Sequence, residues 1–378
     1  MLHSGITLSI VDSENDFSLL KDEWEELEKK VPDLTVFQTW VFQFYTWRIF
    51  AEQVHPYLVL ARNDKGVLVG CAPLGYRISK IGPVAIKQLG FCCIKYCDFQ
   101  NFIVHQDYQD AVLPAFAEWL LVQRKNWHVI RLKLLREDFT LLTTPELFIN
   151  KLRDYIRFHK TGMAPFIAID KSWTDFQNAL SGKRAKAVRY EVKNLYRYFP
   201  GEFQGYTTGP ELERALLSLM DLHQKRIRQK HQLGAFASNS VRCGFQKLVS
   251  ELEKRGYIAI HTISSNDKTI AAIGTFTFRN KVLYFQGGFD TDWFRYSPGK
   301  VVLAQRISDA ITAGAEEFDF LFGDEDYKFA WATGQRKIVE LELKTGSLRG
   351  FVLQTIMIIQ NRLLQSERIR AWYFKLFS

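Results

Sequence analysis

The sequence predicts a mixed α/β chain of the α+β type, folded as two domains in tandem. The chain has 378 residues, of which 47% are hydrophobic and 14% aromatic, so it is too long for one ordinary core and has the apolar side chains for two. The order of predicted elements also occurs twice: helices, a series of short strands, a helix and a further strand. This order suits helices packed on a largely antiparallel sheet. We therefore predict domains at 1–160 and 161–345 and a C-terminal segment at 346–378.

The first half begins with an amphipathic helix over 14–30, in which Phe17, Leu20, Trp24 and Leu27 recur at helical spacing. A hairpin is expected further on, because a turn of Asp, Lys and Gly at 64–66 separates two apolar runs. Helices are predicted at 39–51 and 111–123, and strands at 57–61, 67–73, 83–91, 100–104 and 129–134.

The second half repeats this order after a boundary near 155–172. Its pattern alternates between helical periodicity and period-two strand signals. Helices are predicted at 172–180, 185–198, 210–229, 240–255 and 300–313, and strands at 202–206, 257–264, 269–278, 281–288, 318–322 and 337–343.

Charge and cysteine content narrow the class of protein. The formal net charge of +9 favours an anionic partner, and a nucleotide, an acidic membrane surface and RNA all fit this description. Five cysteines without regular spacing argue against a disulfide scaffold, and the grouping of Cys92, Cys93 and Cys97 matches no common zinc pattern, so we expect buried thiols and no metal. The N-terminus has no signal-peptide pattern and no apolar run reaches about 18 residues, so a cytoplasmic location is expected.

The segment from 257 to 334 carries the features that point to chemistry. A strand ending in Gly287 and Gly288 is followed by a loop with Pro298 and Gly299 and then a helix. A helix start offers unpaired N–H groups and the positive end of its dipole to a phosphate, and nearby Arg and Lys residues add charge. A plain turn has the same pattern, so spacing alone leaves both interpretations open.

Acidic residues follow the next strand directly. In FDFLFGDEDYKFAW, residues 318–331, Gly323 ends the strand and a charged segment with a tyrosine lies just beyond it. Loops at strand ends commonly carry functional residues. A solvated, charged surface turn is the alternative.

Four pieces in this order resemble one branch of the GNAT superfamily, the cellulose-biosynthesis-protein-like acetyltransferases. They are LH at 222–223, GGFD at 287–290, SPGK at 297–300 and the 318–331 segment. The resemblance covers about 172–334 and extends more faintly to FQTWVFQFYTW at 37–47 and LVGCAPLGYR at 68–77. It implies two GNAT-like folds in tandem, similar to the Fem-type aminoacyl transferases that modify peptidoglycan precursors.

The resemblance also implies acetyl-CoA or another acyl-CoA as donor, held by the second domain, while the first shapes the acceptor cleft. The SPGK loop has fewer glycines than the usual pyrophosphate loop of this superfamily. The residues expected to bind the donor lie in and before the SPGK helix: Gly287, Gly288, Arg295, Tyr296, Ser297, Gly299 and Lys300.

Acyl transfer from a thioester to an amine requires a base for the amine, an N–H for the developing oxyanion and a proton for the leaving thiolate. Tyr327 is the candidate proton donor, with a packing role as the alternative. Asp324 and Glu325 are candidates for the base or for binding the amine, with a solvated loop as the alternative. His223 is a further catalytic candidate only because the resemblance includes it, since a lone helical histidine is more often structural.

Three basic residues are candidates for binding the acceptor. Lys328 can bind a phosphate or a carboxylate, or pair with a neighbouring acid. Arg189 belongs to the basic helix within 181–197 and Arg226 to a basic cluster that begins at Lys225. If both face the cleft, they suit an acidic sugar, a nucleotide-sugar or a phosphorylated lipid. Solvated helix faces are the alternative.

The C-terminal segment, 346–378, combines an apolar run with basic and aromatic residues, as in a long amphipathic helix. This composition is typical of a helix at a membrane surface and equally of one packed on the domain or on a second subunit. Peripheral membrane contact at the inner face and the oligomeric state both stay open.

Three functions agree with these observations. The leading hypothesis is a CoA-dependent N-acyltransferase whose acceptor is an amino sugar or a precursor of surface polysaccharide or cell envelope. The second is an aminoacyl-tRNA-dependent transferase of the Fem type, in which basic helices hold the tRNA. The third is a non-catalytic binding module of a polysaccharide-assembly complex, because a fold alone does not guarantee chemistry.

Overall fold

The chain folds as a mixed α/β protein, which confirms the predicted fold class. A computed structural model describes residues 5–81, 84–180, 182–229, 234–265 and 268–347. The contacts divide into two compact units, the second of which comprises Thr35–Phe37 and Gly162–Ile338. The strand residues from Val339 onward cluster with the first unit, whereas the sequence prediction had placed 339–345 in the second domain. The predicted C-terminal helix falls on 348–378, outside the described residues.

The first unit contains two antiparallel groups of strands and the helices that cover them. A four-stranded sheet has the order β1-β3-β4-β7, and a second group runs β8-β6-β5-β2 with a parallel pair only at β6 and β8. The strands are β1 Thr7–Val11, β2 His55–Pro56, β3 Leu58–Arg62, β4 Leu68–Ala72, β5 Leu74–Ile81, β6 Val84–Phe91, β7 Ile103–Val104 and β8 Val129–Arg136. The helices are α1 Glu14–Leu19, α2 Lys21–Glu28, α3 Trp40–Ile49, α4 Gln109–Gln123, α5 Thr140–Thr143 and α6 Ile149–Leu152.

Side-chain caps set the starts of several helices. Ser13 and Thr39 accept hydrogen bonds from backbone N–H groups in the first turns of α1 and α3. The single helix predicted over 14–30 is two helices in the structure, separated at Leu20. Its apolar residues still share one face, because Phe17 and Trp24 are both buried and their rings stack at 5.8 Å.

The second unit is a twisted sheet with the order β10-β11-β12-β13-β14-β9, covered by helices. Its strands are β9 Ile156–Ala168, which enters this unit at Gly162, β10 Glu202–Tyr206, β11 Ile258–Ser265, β12 Lys268–Phe278, β13 Lys281–Phe289 and β14 Glu317–Asp319, and β15 Gly334–Leu343 leads back to the first unit. Its helices are α7 Trp173–Ala179, α8 Gly182–Tyr198, α9 Gly209–Gln229, α10 Asn239–Glu253, α11 Pro298–Thr312 and α12 Asp326–Phe329. Among the described residues, no helix is both long and apolar enough to cross a bilayer.

The strands β13 and β14 run parallel and pair over only three residues. The register joins Lys281 to Glu317 and ends where Leu283 meets Asp319, although β13 continues to Phe289. A bulge at Phe285 also interrupts the pairing of β13 with β12, and bulges increase strand twist and redirect side chains. The two strands therefore diverge beyond Leu283.

A buried ionic cluster fixes the end of β14. Asp319 accepts a 2.7 Å hydrogen bond from the N–H of Leu321, which has a left-handed φ of 60°. Arg336 bonds to the carboxylates of Asp319 and Glu317. Because this turn leaves the extended conformation, the strand predicted over 318–322 stops at Asp319.

The helix α9 lies unusually close to β13 at Gly288. A Cβ at this position would lie 2.4 Å from the backbone nitrogen of His223 and 2.8 Å from the carbonyl carbon of Leu222. Backbone atoms cannot rotate away as a side chain can, so only glycine permits this approach.

We therefore expect Gly288→Ala to lower the free energy of unfolding by about 3 kcal/mol. The matched control is Gly274→Ala on β12, whose Cβ would be crowded by the end of the Leu219 side chain, at 2.9 Å, with the Phe285 ring in ordinary contact at 3.5 Å. Chemical denaturation followed by circular dichroism measures both. Equal losses from the two variants would contradict a backbone clash at Gly288.

Candidate active site

A cavity of about 1000 Å³ lies within the second unit. Its walls come from β12 and β13, from the facing sides of α8 and α11, and from α12. Most of its surface is apolar, with polar groups at a few places, which is the usual composition of a small-molecule site. Predicted donor-site residues on its wall are Gly287, Gly288, Arg295, Ser297, Gly299 and Lys300.

The cavity runs along the part of β13 that is no longer paired with β14. Residues 287–289 line it, beyond the last register pair at Leu283. A strand edge without a partner presents its N–H and C=O groups to whatever lies beside it. The divergence of the two strands therefore forms a slot with backbone hydrogen-bonding groups along one side.

The helices α9 and α11 cover opposite faces of the sheet. Gly288 faces α9, whereas the neighbouring Phe289 contacts Gly299 at the start of α11, and successive strand residues point to opposite faces. The cavity is lined by Arg226 of α9 and by residues of the N-cap and first turns of α11, from Ser297 to Leu303. It therefore passes from one face of the sheet to the other, around the free edge of β13.

Two tyrosine hydroxyls meet in the cavity. The hydroxyl of Tyr327 on α12 donates to that of Tyr284 on β13, at 3.4 Å. Burial raises the pKa of both phenols above the ordinary value, so both are protonated at neutral pH and able to donate. Tyr284 was not predicted, because its contact with Tyr327 joins two elements that are far apart in the sequence.

The start of α11 offers fewer backbone donors than the sequence suggested. Ser297 has a left-handed φ of 53°, and its carbonyl accepts the N–H groups of Lys300 and Val301. Pro298 has no N–H, so among the described residues the N–H of Gly299 is the donor of this turn left without a protein acceptor.

The cations near this turn differ in their surroundings. Lys300 pairs with Glu191 of α8 at 2.7 Å, and both residues line the cavity. Arg295 is exposed and stacks on Tyr296, at 4.7 Å from the ring centre. Tyr296 lies off the cavity wall, where it packs against Tyr198.

The predicted acidic residues serve the fold rather than the cavity wall. Asp324 accepts a hydrogen bond from the N–H of Met163, at 3.2 Å. Glu325 pairs with Lys328 at 3.0 Å, and the buried Lys328 also donates to the carbonyl of Phe322. The carboxylate of this segment that does line the cavity is Asp326, at the start of α12.

His223 lies on the face of β13 that α9 covers. Its Nδ1 is 3.4 Å from the carbonyl oxygen of Gly287, and its ring packs on Phe236. Burial and the nearby Arg226 lower the pKa of His223 to about 4. The ring is therefore neutral at pH 7, with Nδ1–H as the donor to Gly287, which suits a residue that holds the strand in place.

The two arginines that were predicted to bind the acceptor lie in different places. Arg226 lines the cavity, with its guanidinium 5.9 Å from the centre of the Phe289 ring. Arg189 is exposed on another side of α8, where it borders a separate depression of about 350 Å³ with Trp173 and Gln305.

The low pKa of His223 makes stability depend on pH. Because the folded state holds the proton less tightly than the unfolded state, the contribution is present above pH 6.5 and is lost as the pH falls toward 4. We expect wild type to lose up to about 3 kcal/mol more than His223→Gln over this interval. Denaturation of both proteins between pH 7 and 4 measures the difference, and parallel profiles would contradict a neutral, buried ring.

Comparison with known proteins identifies the domain. The family model described as Acetyltransferase (GNAT) domain matches residues 182–329, and no curated protein matched the sequence significantly. A crystal structure of FemX is similar over 89% of this chain and 98% of its own, at 12% identity and a TM-score of 0.62.

Two further solved structures share the fold. One is the C-terminal domain of a putative lysylphosphatidylglycerol synthetase from Agrobacterium fabrum, with 12% identity, coverage of 92% and 97%, and a TM-score of 0.52. The other is a protein from Bacteroides thetaiotaomicron, with 13% identity, coverage of 89% and 100%, and a TM-score of 0.53. These likenesses show the fold, and residues 182–329 of the second unit match an acetyltransferase domain of the GNAT superfamily.

Proposed function

We propose that the chain is an acyl-CoA-dependent N-acyltransferase whose donor lies in the slot beside β13. The observation that supports this most directly is one continuous cavity that joins the start of α11 to the Tyr327 hydroxyl along a free strand edge. A donor of this kind has an extended arm with amide groups, and a free strand edge is the natural partner for such an arm.

The residues present fit the donor at each part of the cavity. The N–H of Gly299, the helix dipole and Arg295 suit a diphosphate at the mouth. Lys300 would have to exchange its pairing with Glu191 for a phosphate. A volume of about 1000 Å³ lies at the upper end of the range for small-molecule sites.

The mechanism assigns the proton transfers to the chain's own residues. Bound acyl-CoA supplies a thioester, at whose carbonyl carbon the N–C bond forms as the C–S bond breaks. The hydroxyl of Tyr327, which donates to Tyr284 in the free protein, turns to the departing sulfur and gives it the proton. The Tyr284 hydroxyl then donates to the Tyr327 phenolate until water returns the proton. Asp326 takes the amine-binding and proton-accepting role that the sequence had suggested for Asp324 and Glu325.

The acceptor class rests on the family resemblance. We retain an amino sugar or a precursor of surface polysaccharide or cell envelope, acylated in the cytoplasm, with membrane contact through 346–378 left to experiment. The fold likeness to FemX favours one alternative, transfer from an aminoacyl-tRNA. Binding of tRNA that weakens steeply with salt would support that alternative.

Binding of the donor is measured by isothermal titration with CoA and with acyl-CoA esters of increasing chain length. We expect saturable binding that raises the melting temperature by mass action. Lys300→Ala should weaken it, whereas the control Lys193→Ala, on the exposed side of α8, should not. Absence of binding up to millimolar concentrations would overturn the proposal.

We expect Tyr327→Phe to lower kcat about 100-fold or more with acetyl-CoA and a reactive amine, because the sulfur loses its proton donor. Tyr284→Phe should have a smaller effect, since it removes only the partner of that hydroxyl. Steady-state kinetics with CoA release as the signal tests both. If Tyr327→Phe retains full kcat while binding the donor normally, Tyr327 is a packing residue.

A further inference from the structure

Arg226 is a partly buried charged residue of the cavity wall. Its Nε is buried and makes no hydrogen bond, and no carboxylate in the described part of the chain pairs with it. The adjacent Lys225 pairs with both Asp290 and Asp292. A half-buried guanidinium beside apolar walls is costly unless an anion joins it, so the site is incomplete without a negatively charged ligand.

Arg226 approaches the cavity from α9, whereas the donor turn with Gly299 and Lys300 belongs to α11, on the opposite face of the sheet. Its guanidinium reaches the Phe289 ring at the free edge of β13, between the two helices. An amine must reach the acyl carbon from the side that the donor does not occupy. The face of α9 is therefore the approach for the acceptor.

The guanidinium also lies near the reacting end of the cavity. Its charge lowers the pKa of Tyr284 and of Tyr327, against the larger effect of burial. The Phe289 ring beneath it restricts its orientation. A group bound to Arg226 is thus held close to the tyrosine pair.

We propose that the acceptor amine carries an oxyanion, a carboxylate or a phosphate, which Arg226 binds with two parallel hydrogen bonds. Guanidinium geometry matches the paired oxygens of both groups. This inference rests on the proposed function, because it presumes that the donor occupies the side of α11. It narrows the acceptor from amines in general to amino acids, their peptides, or phosphorylated amino sugars.

The test compares amines that differ only in the anion. The pairs are glucosamine with glucosamine 6-phosphate, and glycinamide with glycine, so the two sources of the oxyanion are separated. Binding of each amine to the full-length chain is measured by isothermal titration without donor, and turnover is measured with acetyl-CoA. Proteins are wild type, Arg226→Gln, Arg226→Lys and the control Arg228→Gln, an exposed arginine of the same helix.

We expect one anionic member to bind wild type at least 10-fold more tightly than its neutral partner. Arg226→Gln should remove about 10- to 100-fold of that affinity, Arg226→Lys should restore part of it, and Arg228→Gln should behave as wild type. The KM for acetyl-CoA should be the same in all four proteins.

Two results would overturn the inference. One is equal binding of charged and neutral amines by wild type. The other is a weakened affinity for acetyl-CoA in Arg226→Gln with amine binding intact, which would assign Arg226 to the donor. Failure of the proposed function looks different, because wild type would then bind no acyl-CoA while Arg226-dependent binding of the anionic amine persisted.

Discussion

The parallel strands β13 and β14 separate after three paired residues, and this separation determines where chemistry can occur in the domain. Pairing between β13 and β14 ends at Leu283 and Asp319, and the turn stabilised by Asp319 directs the chain away from β13. A continuous ladder would fill the slot with backbone hydrogen bonds and leave no free edge for an amide-bearing ligand. The buried ion pairs of Arg336 with Glu317 and Asp319 stabilise this turn. Removing one partner would leave an unpaired charge in the core.

The divergence of the strands is held open by close packing on both sides. The approach of α9 at Gly288 fixes one face of β13, and Gly299 lets the start of α11 rest on Phe289 at the other. His223 connects α9 to the Gly287 carbonyl. Since the strand is clamped between two helices, its free edge keeps its position before any ligand binds, which reduces the ordering cost of binding.

The sequence predicted most elements of the second unit because their apolar periodicity is strong, and the β10 prediction matches the observed bounds. It missed the short β2, the strand β5, and also β1 and β9, whose exposed residues interrupt the alternation. At the site it predicted the glycines and Tyr327, because they belong to short motifs that follow predicted strands. Tyr284 was missed, because its role depends on a contact with Tyr327, 43 residues further along the chain, which local sequence does not encode.

The charged residues around the cavity show which polar groups serve the fold. Lys328 was expected to bind a substrate, yet its amine is buried between Glu325 and the Phe322 carbonyl, where it holds the turn before α12. A buried cation that already has a carboxylate and a carbonyl partner gains little from a ligand, whereas one with a buried and unbonded nitrogen gains more. By that criterion Arg226 is the candidate for ligand binding and Lys328 is structural, although in sequence both are basic residues beside a predicted site.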